Sequence, residues 1–325
     1  MYYSRTAHWS SGLRLRPLTA ATAVRIRYGS PNWTPRLTPR RFYFLRIYMT
    51  VFKDIKLIVA DMDGTFLRSD KSMSQANLEA VHRLRQRGIE FSFCTGRIAT
   101  QTLVYCKELD QSTPILTSQG AVVWDPIRNI PIQAVYMDND EAIKIADFCR
   151  DNVYDNVVLT HGPVYCTPNS SRLWNYHRNN ILAEKLNVPP MDLKVLTDDH
   201  SFMENIQISK MLIAEKDEDR FNRAKEFLDS LITTGYTVSD FGLLDITVAG
   251  ENKGKGVMRL SQIMGIPLEQ ICVFGDYYND LDMFHVAGIS VAMGNSPEDI
   301  KIQADIVAPT NEEDGFAQIV ECMLH

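Results

Sequence analysis

The chain has 325 residues, of which 45% are hydrophobic and 23% charged, and its formal net charge is -6. This length suits one large domain or two ordinary ones, and the hydrophobic content excludes general disorder. No uncharged apolar run approaches the roughly 18 residues that a membrane helix needs, so we predict no membrane partner. The six scattered cysteines form no CxxC pair, which favours reduced thiols and a cytoplasmic location over a zinc cluster or disulfide framework.

The first 52 residues differ in charge from the rest of the chain. They contain nine arginines and no lysine, aspartate or glutamate, which leaves 25 basic and 40 acidic side chains beyond them. Four prolines and no regular period predict a basic, disordered N-terminal extension at residues 1–52. Three interpretations stay open: an organelle transit peptide, residues upstream of a natural start at Met49, or an arm that binds nucleic acid or an anionic surface. The negative charge of the whole chain argues against nucleic acid as the main partner.

Strands and helices alternate from residue 55 onward. Residues 55–60 form a short apolar run of the kind that is buried in a parallel sheet. Ser74 is a suitable N-cap for a following helix, and Gly88 is a suitable stop for it. Beyond this helix we predict a strand at residues 89–94, a helix at 98–109 and a strand at 114–118.

The same alternation returns late in the chain. There we predict a helix at residues 254–264, a strand at 271–275, a helix at 281–287 and a strand at 289–293. Repeated strand–helix units imply an α/β fold with a doubly wound, Rossmann-like parallel sheet. In such a fold the active residues lie at the carboxyl ends of the strands.

The middle of the chain has a different texture. Apolar clusters at residues 157–160 and 206–213 accompany predicted helices at 140–150, 171–186 and 217–231. This pattern predicts a smaller α+β unit that interrupts the first one. We therefore predict a core domain at residues 53–130 and 245–325, with an inserted domain at residues 131–244.

Two carboxylates, Asp61 and Asp63, directly follow the first predicted strand. Carboxylates at positions i and i+2 at a strand end are costly unless a cation compensates them or one of them reacts. A calcium-binding EF-hand loop would need a carboxylate at its twelfth position, which is Ser72, and would follow a helix. The pair therefore does not belong to such a loop.

Three further segments at predicted strand ends carry reactive or ligating side chains. Thr95 offers a hydroxyl beside Gly96, Lys253 follows a predicted strand at residues 244–248, and Asp276 and Asp280 follow the strand at 271–275. Taken singly, they read as a helix cap, a surface lysine and a helix N-terminus. Taken together with the first pair they suit phosphoryl transfer, which needs an oxygen-bound cation, a fixed positive charge and hydrogen-bond donors.

In this order the four motifs resemble those of the haloacid dehalogenase-like hydrolases, and the resemblance covers residues 55–325. The insertion between the second and third motifs is similar to a cap domain. Together with Asn252-Lys253-Gly254 and the Gly-Asp-x-x-Asn-Asp-x-x-Met pattern that ends at Met283, it resembles the Cof-type phosphatases with a type IIB cap.

The resemblance implies a catalytic role for each side chain of the first pair. Asp61 is expected to be the nucleophile that forms an aspartyl-phosphate, and Asp63 the acid that protonates the leaving oxygen and later the base that activates water. Thr95, Gly96 and Lys253 are expected to hold the phosphoryl oxygens.

The resemblance also implies Mg²⁺ as the cofactor. Its expected ligands are Asp61, the backbone carbonyl of Asp63, and Asp276, with Asp280 as a further ligand or as support for one. Asn279 is expected to orient the phosphate.

Two positions depart from the pattern of many family members: Tyr277 stands in place of Gly, and Gln119 in place of Asn. Both changes fall on the substrate side of the expected pocket. The cap is expected to supply specificity, and its aromatic and basic candidates are His161, Tyr165, Arg172, Trp174, Tyr176, His177 and Lys210.

The sequence therefore predicts a magnesium-dependent phosphatase whose partner is a small phosphorylated metabolite, such as a sugar phosphate or a phosphorylated cofactor. Two alternatives stay open. The same site would serve a phosphomutase, and receiver domains, which are phospho-accepting signalling modules, also combine an acidic pair with a threonine and a lysine.

Overall fold

A computed structural model describes residues 52–240 and 242–324. The N-terminal extension therefore lies outside the described residues except for Phe52, which is buried in the hydrophobic core. The predictions of disorder, of a transit peptide and of a start at Met49 concern residues that the structure does not describe. Within the described ranges, every helix is too short or too polar to cross a membrane.

The elements are numbered in chain order within the described ranges. The strands are β1 (Leu57–Ala60), β2 (Glu90–Phe93), β3 (Ile115–Thr117), β4 (Val122–Asp125), β5 (Ile130–Ala134), β6 (Asp155–Thr160), β7 (Val164–Cys166), β8 (Leu193–Val195), β9 (Ile208–Ala214), β10 (Thr234–Asp240), β11 (Leu243–Val248), β12 (Ile271–Gly275), β13 (Ile289–Ala292) and β14 (Ile306–Val307). The helices are α1 (Gln75–Gln86), α2 (Ala99–Glu108), α3 (Asn139–Asp151), α4 (Leu173–Lys185), α5 (Glu218–Asp229), α6 (Lys253–Met264), α7 (Leu281–Val286), α8 (Glu298–Lys301) and α9 (Gly315–Leu324).

A five-stranded parallel sheet in the order β14-β13-β12-β1-β2 forms the core. Strand β1 is buried on both faces, as its uninterrupted apolar sequence predicts. Ile58 packs in the hydrophobic cluster of α1 and α9 on one face, and Val59 packs with α6 and α7 on the other. The predicted doubly wound parallel sheet is therefore confirmed.

Local signals at the ends of α1 act as the sequence predicts. The Ser74 hydroxyl accepts a hydrogen bond from the Asn77 backbone N–H, which satisfies one of the free donors of the first turn. Gly88, just beyond the helix, has a φ of 72°, in the left-handed region that glycine adopts without steric cost.

A six-stranded sheet in the order β10-β11-β9-β6-β7-β8 forms the inserted unit. Helices α3 and α5 cover one face of this sheet. On the other face, Val157 and Leu159 share a cluster with Ile98 of the core and Tyr176 of α4. This second face is therefore directed toward the core sheet, and a ligand bound between the two units would contact the core as well as the inserted unit.

Strands β3, β4 and β5 form a separate antiparallel sheet. The strand predicted at residues 114–118 exists as β3, but only a single bridge between Cys94 and Leu116 joins it to the parallel sheet. The small sheet connects the core to the inserted unit along the chain. Just after β5, the Val135 backbone N–H donates to the Ala121 carbonyl, and the Met137 backbone N–H then donates to the Ile208 carbonyl of β9.

Both predicted boundaries of the inserted unit fall within strands. The boundary at residues 130/131 cuts β5, which pairs along its length with β4. The boundary at 244/245 cuts β11, which pairs with β9 and β10 rather than with the parallel sheet. Met137 is buried in the second core, and the pairing of β11 extends the sheet of the inserted unit to Val248.

Candidate active site

The predicted motifs converge on a cavity of about 500 Å³ between the parallel sheet and the inserted unit. They converge because β1, β2 and β12 run parallel, so the segments that follow them leave the same edge of the sheet. Of the predicted residues, those lining the cavity are Asp61, Asp63, Thr95, Gly96, Asp276 and Asn279. Lys253 and Asp280 lie buried directly behind Asp61.

Lys253 links two carboxylates from different strands. Its Nζ lies 2.7 Å from Asp61 Oδ1 and 2.6 Å from Asp280 Oδ1, and all three side chains are buried. The prediction that Lys253 follows a core strand is wrong, because the preceding strand β11 belongs to the antiparallel sheet. Lys253 instead reaches the site as the first residue of α6, whose N-terminus is capped by the Asn252 side chain.

The acidic residues of the site carry more negative charge than Lys253 can neutralise. The pKa of Asp61 is raised to about 7, mainly by burial and further by the charge of Asp280. The positive charge of Lys253 offsets part of this rise. Burial likewise raises the pKa of Asp276 to about 8, reinforced by Asp280 and Asp61. Ligand oxygens of Asp61, Asp276 and Asp280 lie within 4.8 Å of one another. Such a cluster of hard oxygens is suited to a divalent cation.

Asp280 orders the segment that carries Asp276. One of its carboxylate oxygens accepts the backbone N–H groups of Asp276 and Tyr277 at 2.8 and 3.0 Å, while the other contacts Lys253. Both carboxylate oxygens of Asp280 are therefore occupied by contacts with the protein.

Thr65 also contacts the acidic cluster, although the sequence did not single it out. Its hydroxyl donates to Asp276 Oδ1 at 2.9 Å, which fixes the direction of that carboxylate. The neighbouring Gly64 has a φ of 81°, and a Cβ there would clash with the Asp276 carboxylate. Gly64 therefore leaves room for the Asp276 carboxylate, and the Thr65 hydroxyl fixes its orientation.

Asp63 lies on the cavity wall and is held by two cations. Arg97 Nε and Nη2 each donate to one of its oxygens at 2.7 Å, and Lys71 Nζ lies 2.8 Å away. Burial would raise the pKa of Asp63, but Arg97 and Lys71 outweigh burial and hold it well below its usual range. Within the described residues, the Asp63 carboxylate is not part of the acidic cluster. The predicted metal ligand of Asp63 therefore remains its backbone carbonyl.

Arg97 is a site residue that the sequence interpretation left without a role. Its guanidinium lies over the Tyr105 ring at 5.0 Å and donates to the Tyr105 hydroxyl at 3.1 Å. The position of Arg97 directly after Thr95 and Gly96 indicates that it lies near the site. The sequence does not show the direction of its long side chain.

The predicted phosphate-binding residues surround Gln119. Asn279 donates to the Gln119 side-chain oxygen at 3.1 Å, and a Cβ at Gly96 would clash with the same side chain. Thr95 is buried, and its hydroxyl accepts the Arg97 backbone N–H at 3.2 Å. Gln119, noted in the sequence as a departure, is therefore the contact between the second and fourth motifs.

Three of the predicted specificity residues line the cavity and four do not. Arg172 and Tyr176 extend from the start of α4, and Lys210 extends from β9. Lys210 is buried, pairs with Asp245 and donates to the Gly96 carbonyl at 2.8 Å. The candidates outside the cavity lining are His161, Tyr165, Trp174 and His177.

Two of these four have other structural roles. His161 packs between Trp124 and Tyr136, with ring centroids 5.0 and 5.4 Å away, and Tyr165 packs on Phe202 at 4.5 Å. Their aromatic rings therefore serve packing, and neither ring lines the cavity.

The haloacid dehalogenase-like hydrolase family matches residues 58–320 of the chain. A 5-amino-6-(5-phospho-D-ribitylamino)uracil phosphatase from Bacillus subtilis (strain 168) is 28% identical over 283 residues, which are 82% of this chain and 96% of the relative.

Solved structures agree with the family match. A haloacid dehalogenase-like hydrolase from Bacteroides thetaiotaomicron superposes with a TM-score of 0.72 and 25% identity, over 82% of this chain and 98% of that one. A subclass IIB sugar phosphatase has the same fold, with a TM-score of 0.66 and 24% identity over 82% and 98%. The chain therefore belongs to the haloacid dehalogenase-like hydrolases and is an enzyme of their Cof-type phosphatase group.

Proposed function

We propose that the chain is a magnesium-dependent phosphatase that hydrolyses small phosphomonoesters through an aspartyl-phosphate on Asp61. One observation carries the proposal. Asp61, paired with a buried lysine and flanked by the buried carboxylate of Asp280 and the half-buried carboxylate of Asp276, lies in the same cavity as Asp63, Thr95 and Asn279. The combination supplies a nucleophile, a cation site, a candidate acid and base, and hydrogen-bond donors for a phosphoryl group.

The residues present fit a Mg²⁺ ion. Asp61, Asp276 and the backbone carbonyl of Asp63 would hold it, and Asp280 would support them through the Asp276 backbone. The raised pKa values of Asp61 and Asp276 support this assignment, because a bound cation would return both groups to the ionised form. When bound, Mg²⁺ neutralises charge on the phosphoryl oxygens.

In the first step an Asp61 oxygen forms a bond to phosphorus while the bond from phosphorus to the leaving oxygen breaks. Lys253 keeps Asp61 oriented and offsets its charge. The leaving oxygen takes its proton from Asp63, which must therefore bind a proton in place of Lys71 when substrate binds, while Arg97 keeps the carboxyl in position.

In the second step Asp63 accepts a proton from water, and the resulting hydroxide attacks phosphorus. The bond between phosphorus and Asp61 breaks, inorganic phosphate is released, and the Asp61 carboxylate is restored. Thr95, Gly96, Lys253 and Asn279 would hold the phosphoryl oxygens in both steps.

A small phosphorylated metabolite is the proposed substrate. The cavity of about 500 Å³ has the size of a small-molecule site, and the Bacillus subtilis relative acts on a phosphorylated ribitylamino-uracil. We further propose a cytoplasmic enzyme without a nucleic-acid or membrane partner. The burial of Cys94, Cys149 and Cys272 as thiols suits a reducing compartment.

The proposal is tested with purified protein and a panel of phosphorylated sugars and cofactors, assayed with added magnesium and with EDTA. We expect inorganic phosphate as the product, and its release should stop when EDTA removes the metal. Asp61→Asn should abolish turnover while circular dichroism and melting temperature stay close to wild type. The matched control Asp282→Asn changes an exposed carboxylate two residues from Asp280 and should stay active.

Three outcomes would contradict the proposal. Turnover by Asp61→Asn would remove the assigned nucleophile. An isomeric phosphate ester as the product would identify a phosphomutase, and a phosphoprotein that persists without releasing phosphate would identify a signalling module.

A further inference from the structure

Arg172 is a cation on the cavity wall without a counter-ion. It directly precedes α4, is half-buried, and makes no ion pair with a described carboxylate. Its Nε is buried and has no hydrogen-bond partner among the described residues. The other basic side chains of the wall are engaged: Arg97 and Lys71 with Asp63, Lys210 with Asp245, and Arg178 with the Asp70 carbonyl.

Two more polar groups on the same helical face lack partners. The Tyr176 hydroxyl, one turn beyond Arg172, is buried beside the Arg172 guanidinium and makes no hydrogen bond of regular geometry, and the side chain is only 1% exposed. Asn179, a further turn on, donates to the Gln101 carbonyl at 3.0 Å, but its side-chain oxygen has no partner. Spacings of four and three residues place all three side chains on the face of α4 that lines the cavity.

An unpaired buried polar group costs stability, so three such groups on one cavity wall favour a ligand that pairs with them. A guanidinium presents paired N–H donors in a planar fork that matches a carboxylate or a phosphate. A sugar hydroxyl would satisfy one donor but would leave the charge uncompensated.

The charges also orient the ligand. The carboxylates of Asp61 and Asp276 lie at the core side of the cavity, where a cation site receives the reacting phosphate. Without a cation these carboxylates repel a second anion, whereas Arg172 on the α4 wall attracts one.

Building on the proposed phosphatase activity, we propose that the preferred substrate is a phosphomonoester whose leaving group carries a second anionic group, a carboxylate or a phosphate. Arg172 pairs with this second anion, and Tyr176 and Asn179 provide hydrogen bonds beside it. Arg172 is thus a specificity-determining residue on the α4 wall.

The test compares substrates that differ in the second anion. The phosphate arm uses fructose 1,6-bisphosphate against fructose 6-phosphate, and the carboxylate arm uses 3-phosphoglycerate against glycerol 3-phosphate. The readout is the ratio of kcat/KM within each pair, because a general loss of activity cancels in this ratio. We expect wild type to favour the doubly anionic member of at least one pair by about tenfold or more, and the arm that shows it identifies the anion.

Arg172→Gln should bring that ratio close to one, mainly through a higher KM, while Arg172→Lys should retain part of the preference. Arg178→Gln is the matched control, since Arg178 lies on the same helix and wall but already contacts the Asp70 carbonyl. Its ratio should stay as in wild type.

A wild-type ratio near one in both arms, or a preference that survives Arg172→Gln, would overturn the assignment of Arg172. Failure of the underlying phosphatase proposal looks different, because all four compounds and p-nitrophenyl phosphate would then release no phosphate. The two failures are therefore distinguishable.

Discussion

Arg97 holds the Asp63 carboxylate through two hydrogen bonds of 2.7 Å, an arrangement that only a planar guanidinium provides. We predict that Arg97→Gln lowers kcat by about 10- to 100-fold, because Asp63 loses its orientation for proton transfer. The loss should be larger for alkyl phosphates than for p-nitrophenyl phosphate, whose leaving group needs little protonation. Steady-state kinetics on both substrates measures the difference.

Tyr105→Phe is the matched control for Arg97→Gln, since it removes one hydrogen bond to Arg97 and leaves both bonds to Asp63. It should reduce kcat only slightly. Equal losses on both substrates in Arg97→Gln would contradict the positioning role.

Asp280 lies behind the acidic cluster that we propose as the cation site. Its carboxylate fixes the Asp276 backbone and pairs with Lys253, so Asp280→Asn should weaken Mg²⁺ binding by about 10- to 100-fold, the usual cost of losing a group that orients metal ligands. A magnesium titration of activity measures the shift, with Asp282→Asn as the control. An unchanged magnesium dependence would contradict the supporting role.

Most of the side chains at the site were predictable from the sequence, whereas their partners were not. Asp61 and Asp276 lie together because each follows a strand of the parallel sheet at the same edge, whereas Lys253 reaches them as the first residue of α6. The contacts of Arg97 and Thr65 depend on side-chain direction across the fold. Thr65 donates to a carboxylate 211 positions away, and no local pattern encodes such a contact.

At the scale of elements, helix α3 is fixed to the segment that leads into β10 by one carboxylate. Glu141 accepts hydrogen bonds from the Ile232 and Thr233 backbone N–H groups and from the Thr233 and Thr234 hydroxyls. Burial opposes ionisation, yet these donors lower the pKa of Glu141 from 4.5 to about 2. A depressed pKa stabilises the fold fully above the unfolded value of about 4.5, and this contribution is lost as the pH falls toward 2.

Glu141→Gln should therefore lower the free energy of unfolding at pH 7 by up to about 3 kcal/mol. The difference from wild type should shrink as the pH falls from 5 to 2. Urea unfolding across this range measures it, and Glu226→Gln on the exposed side of α5 is the control. A difference that does not change with pH would show that Glu141 stabilises α3 by packing alone.

The accuracy of the element predictions depended on both the length and the burial of each apolar run. Strand β12 has the predicted bounds, because a fully buried apolar run has few alternatives. Strands β7 and β8 have three residues each and escaped prediction, since such short segments show no measurable period. Strand β11 was assigned to the parallel sheet but pairs with β9 in the antiparallel sheet, because a short apolar run is equally compatible with both sheets.

At the scale of the whole molecule, Lys210 joins the inserted unit to the core. Its ammonium donates to the Gly96 carbonyl beside Thr95 and pairs with Asp245. Lys210→Met should destabilise the fold by about 3–5 kcal/mol, because Asp245 then remains as an unpaired buried charge. The same change should lower kcat/KM, because the cap loses its hydrogen bond to the Gly96 carbonyl beside Thr95.

The double variant Lys210→Met/Asp245→Leu separates these two effects. Replacing a buried ion pair by apolar side chains is often neutral or stabilising, so the free energy of unfolding should return close to the wild-type value. The bond to the Gly96 carbonyl stays absent, so kcat/KM should remain as low as in the single variant. Urea unfolding and steady-state kinetics on the same preparations give both quantities. Recovery of activity together with stability would mean that the ion pair serves folding alone, whereas stability without activity would show that the cap acts on the core through this bond.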